Sequence, residues 1–69
     1  MSLEENRYSV TVVETPAGWR VSILDPGGAL AAERACGDAV EARLYASTVS
    51  QHIAWLSPAT FREYYRLEV

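Results

Sequence analysis

The chain has 69 residues, 49% of them apolar and 22% charged, with nine acidic side chains against six basic ones and a formal net charge of -3. This describes one small globular domain, with no apolar run near the roughly 20 residues that cross a bilayer. The Glu-bearing start has neither the basic opening nor the apolar centre of a secretory signal, so the expected setting is the cytoplasm, away from membranes.

A domain this small buries only about 60% of its unfolded surface, and one core supplies about 3 to 5 kcal/mol. A lone Cys36 forms no internal disulfide, and one Cys with one His cannot complete a four-ligand zinc site, so neither a metal nor a cofactor is expected. Association with a second copy or with another protein is the remaining aid. All six basic residues are Arg and ten residues are Ala, a bias typical of GC-rich bacterial or phage genomes. Arg7, Arg20, Arg34, Arg43, Arg62 and Arg66 are spread along an acidic chain, which argues against nucleic acid and for a protein partner.

Residues 1–5 are expected to be disordered and 6–69 to form a single α+β domain. Over 6–15, Tyr8, Val10 and Val12 alternate with Ser9 and Thr11, the pattern of a half-buried strand. After the Pro16-Ala17-Gly18 break, Trp19, Val21 and Ile23 alternate with Arg20 and Ser22, so the two strands read as a hairpin. Asp25-Pro26-Gly27-Gly28 is a turn, in which Pro sets φ for the first central position and Gly accepts a positive φ after it. Residues 29–36, ALAAERAC, suit either helix or strand. A third strand is preferred, because three strands with an apolar face are stable where an isolated hairpin is marginal. Its apolar face of Leu30, Ala32 and Cys36 must admit Arg34.

Asp38, as N-cap with Glu41 three residues later, opens a helix of about 18 residues. Val40, Leu44, Tyr45, Val49, Ile53 and Leu56 are expected to face the sheet. Ser57-Pro58 then starts a short helix running to about Leu67, with a final strand over 61–69 as the alternative. Phe61, Tyr64, Tyr65 and Glu68 would share one side of that helix.

Catalytic chemistry has thin support. His52 lies on the apolar side of its helix with no carboxylate at helical spacing, and reads as a core-edge histidine. Cys36, just before a helix, reads as a small buried hydrophobe rather than a nucleophile. Gly27-Gly28 lacks the spacing and the Lys of a phosphate-binding loop. An enzyme is therefore not expected, a small hydrolase using Cys36 or His52 being the least favoured alternative. Aromatic and Arg residues point instead to a protein interface, for which Trp55, Phe61, Arg62, Tyr64, Tyr65 and Arg66 are the candidates. Trp19 and Trp55 could equally pack the helix onto the sheet.

YSVTVVETPAGWRVSILDPGG at residues 8–28, followed by a helix ending in HIAWL, resembles the core of HicB-like antitoxins over about 50 residues. That resemblance implies a strand, an aromatic turn, two further strands and an amphipathic helix, and action by occluding a protein partner. Small size and acidity also resemble phage anti-CRISPR proteins, which bind Cas subunits. PAGW at Pro16 to Trp19 resembles part of the MbtH-like signature, but the rest of that signature is absent. The expected function is a non-enzymatic module that occludes a protein partner. A structural homodimer with an aromatic self-interface is the alternative.

Overall fold

The computed structural model describes residues 5–67. Three antiparallel strands, β1 (Ser9–Thr15), β2 (Gly18–Leu24) and β3 (Leu30–Cys36), form a sheet in the order β1-β2-β3. Helix α1 (Ala39–Trp55) covers one face of this sheet, and α2 (Pro58–Tyr65) closes one end of the core. This is the α+β architecture expected from the sequence, with residues 29–36 resolved in favour of strand and 58–65 in favour of helix. The disorder expected over 1–5 concerns residues 1–4 outside the described part, and so does the position of Glu68. Glu5 itself is exposed, with its carboxylate 3.9 Å from Arg7.

The hairpin register pairs Val12 with Val21 and Val10 with Ile23, so the alternating apolar residues of both strands meet on one face. Gly18 follows the tight turn with φ +136, and a Cβ there would approach the Cys36 carbonyl to 3.1 Å. Glycine is required at that position on both counts. In the second turn the Asp25 carboxylate accepts from the Gly27 and Ala29 amides, each at 2.9 Å, and Gly28 takes the positive φ of 89°. The local chemistry that made this stretch legible as a turn is therefore what closes it.

A register shift between Ile23 and Leu24 pairs Leu24 with Leu30. This corrects the expected inner face of β3: Leu30 leaves it and is exposed, while Ala32, Arg34 and Cys36 remain opposite Ile23, Val21 and Trp19. Arg34 is accommodated because its guanidinium lies 4.7 Å from the Tyr45 ring centre, a cation–π contact at the sheet margin.

Asp38 caps α1 by accepting from the Glu41 amide at 2.8 Å, and Glu41 reaches back to the Gly37 amide at 2.9 Å. The two acids thus act as a reciprocal cap displaced by one residue. Ala42 and Val49 are the fully buried positions of α1, flanked by half-buried Tyr45, Ala46, Ile53 and Leu56. Val40 and Leu44, expected on this face, lie on the opposite one. Nine residues separate Val40 from Val49, and at about 100° per residue that spacing turns the helix through about 180°.

Ser57 caps α2 by accepting from the Thr60 amide at 3.3 Å, with Pro58 at the first helical position. Phe61 is fully buried, stacked at tilted angles between Tyr8 and Tyr65 with ring centres 5.0 and 4.8 Å away. Asn6 ties the start of the chain to this corner, donating to the Leu56 carbonyl and accepting from the Tyr8 amide.

Candidate functional site

The six candidate interface residues separate into three groups. Phe61 belongs to the core and is unavailable as surface, a correction whose cause is its position at the centre of the cluster formed by Tyr8, Ile23, Val49 and Leu67. Tyr65 and Arg62 are half-buried. Trp55, Tyr64 and Arg66 are exposed, Trp55 by 74% and Tyr64 by 62%.

Tyr64 and Tyr65 are adjacent, so a helix cannot turn both inward. Tyr65 takes the inner position four residues after Phe61 and places its hydroxyl 2.7 Å from His52 Nδ1. With the imidazole proton on Nε2, Nδ1 accepts and the phenol donates. Burial first, and then the neighbouring Tyr45 and Tyr64, push the Tyr65 pKa up to about 12. Tyr64 rests on the outer side of the same imidazole, 4.6 Å away and edge to face. His52 is the core-edge histidine expected, but its partner is a tyrosine thirteen residues away on another helix, which helical spacing alone could not supply.

Arg66 ends α2 in the left-handed conformation at φ 55, the only non-glycine with positive φ among the described residues. Its amide bonds the Glu63 carbonyl at 3.3 Å and the Leu67 amide bonds the Arg62 carbonyl at 2.8 Å, so the chain reverses and Leu67 returns to the core. A glycine normally fills that position, and Arg66 holds it at some conformational cost.

The feature that sequence reasoning missed is the back of α1. Val40 and Leu44 are 66% and 65% exposed and stand on the same outward side as Trp55. A signal was present: Val40, Leu44 and Trp55 fall within about 60° of one another on a helical projection, apart from the stripe centred on Val49. Helix α1 thus buries one apolar stripe against its sheet and leaves Val40, Leu44 and Trp55 exposed on the other side, among polar Ser47, Thr48 and Gln51.

Nothing in the described residues assembles a nucleophile, a base and an orienting acid. Cys36 is buried with Val21 and Ala42 under the start of α1, whereas His52 lies near its other end and is engaged by Tyr65. Among the described residues, no group of three or more His, Cys, Asp or Glu side chains is placed to hold a metal ion, and no helix is long and apolar enough to cross a membrane. A groove of about 810 Å³ runs between Glu5-Asn6 and the end of α1, with Trp55 on its wall. No family model, curated protein or solved structure matches the chain.

Proposed function

We propose that this protein is a non-enzymatic protein-binding module of the cytoplasm that occludes a protein partner, in the manner of an antitoxin or an inhibitor. The observation that supports this reading is the outward side of α1. Val40, Leu44 and Trp55 stand outward on α1 where the sheet does not cover them, and Tyr64 is exposed beside His52. Large apolar side chains left exposed on one side of a helix are a common feature of protein-contact surfaces. Aromatic anchors among small polar neighbours such as Ser47, Thr48 and Gln51 match the make-up of interface centres.

The reading is tested by affinity capture from lysate of the natural host, comparing the native chain with Trp55→Ala and Tyr64→Ala. Each variant should keep the fold, since both side chains are exposed, and each should weaken binding by about 1 to 3 kcal/mol. A retained partner bound equally by all three proteins would contradict the placement of the contact. Tyr65→Ala does not belong in this comparison, because it removes the His52 hydrogen bond and core packing against Phe61. A structural homodimer is the second reading, favoured by the way the two ends of the α1 patch complement each other.

A further inference from the structure

The back of α1 has two unlike ends. Val40 and Leu44 make its N-terminal half aliphatic, while Trp55 in the last turn makes the other end aromatic. Tyr64, edge-on to His52 one turn before Trp55, is also exposed. Between the two ends lie Ser47, Thr48 and Gln51, all uncharged and exposed, with the small Ser47 and Thr48 at the centre.

An axis of two-fold symmetry between Ser47 and Thr48 would run a second α1 antiparallel to the first. Trp55 of each copy then covers Val40 of the other, and the small central pair lets the helix backbones approach. Antiparallel packing also sets opposite ends of the two helix dipoles side by side. A parallel pairing would instead stack Trp55 on itself and leave the aliphatic end thinly covered.

The area agrees. A standard interface takes about 800 Å² from each partner, of which roughly 450 Å² is apolar. Val40, Leu44, Trp55 and Tyr64 at their observed exposures offer roughly 400 to 500 Å². That interface would cover about one sixth of the 4990 Å² accessible surface of the chain.

We infer that the protein which covers the back of α1 is a second copy of this chain, packed α1 against α1 antiparallel about an axis near Ser47 and Thr48. This rests on the reading of that face as a protein contact and takes the homodimer as its occupant, so that any partner that is occluded meets another surface of the dimer. The resulting dimer places the two helices between two sheets, whose open faces and strand edges point outward and remain free for a further partner.

Sedimentation equilibrium of the full chain from low to high micromolar concentration tests it, with Leu44→Glu and Thr48→Cys as variants. The native chain should reach twice its 7.6 kDa mass, and Leu44→Glu should return it to a monomer with an unchanged circular-dichroism spectrum. Thr48→Cys, at the axis, should form a disulfide-linked dimer on mild oxidation, whereas Val40→Cys should not. A monomeric native chain at high micromolar concentration overturns the inference, as does a dimer that survives Leu44→Glu. If the native chain is monomeric but Leu44→Glu abolishes capture of a different protein, the second copy is refuted and the contact reading stands. If it is monomeric and captures nothing, both fail.

Discussion

Tyr65 and His52 join the two helices at a hydrogen bond of 2.7 Å, and the burial of the phenol at this junction has a consequence in alkaline solution. Burial pushes the Tyr65 phenol up to about 12, so the folded protein holds it neutral where an unfolded chain would ionise it. The stability that this supplies is complete below the ordinary tyrosine value of 10.0 and is lost as pH rises from there towards about 12. The urea midpoint should therefore fall between about pH 10 and 12, and Tyr65→Phe should flatten that segment of the profile. Two other residues carry backbone predictions. Gly18→Ala should destabilise by about 1 to 3 kcal/mol, since φ +136 is strained for any side chain and the Cys36 carbonyl is 3.1 Å from the added carbon. Arg66→Gly should instead stabilise by about 1 kcal/mol, which thermal unfolding would register as a raised midpoint.

At the scale of elements, legibility followed from how local the deciding chemistry is. The Asp25 turn and both helix caps were readable because the residues that make them lie within four positions of one another, and the hairpin because its two alternating runs flank a short Pro-Ala-Gly break. Residues 29–36 were ambiguous because Ala and Glu favour helix, and strand prevails there only through pairing with β2, a contact that no local window contains. The register shift at Ile23/Leu24 is likewise a property of the pair, which is why Leu30 was assigned to the wrong face. The α1 error has a different origin. Steps of four residues advance the helix by about 400°, so a chain of such steps drifts by about 40° each time and merges two faces into one apparent stripe. Of the candidate site, Trp55 and Tyr64 were legible as aromatic interface candidates, but composition alone did not separate them from buried Phe61, and Val40 and Leu44 were hidden by this drift. The same distinction predicts opposite outcomes for two truncations. Val49→Ala in the buried stripe should cost about 2 kcal/mol, and Val40→Ala should leave monomer stability unchanged within about 0.5 kcal/mol in urea titrations.

For the whole molecule, the core is small for the work it does. Phe61, Ile23, Val21 and Val49 are its largest fully buried side chains, and Phe61→Ala should cost about 3 to 5 kcal/mol, comparable to the entire stability expected of one such core. A protein built this close to the margin gains from any surface that buries further apolar area, and the back of α1, with Val40, Leu44 and Trp55 exposed, is one such surface. An interface filled by a second copy makes stability depend on concentration, because dimerisation favours the folded chain by mass action. The most direct test is the thermal midpoint of the native chain measured from low to high micromolar concentration, alongside Leu44→Glu. A midpoint that climbs with concentration in the native chain and stays fixed in Leu44→Glu is the predicted result. A native midpoint independent of concentration would contradict the account.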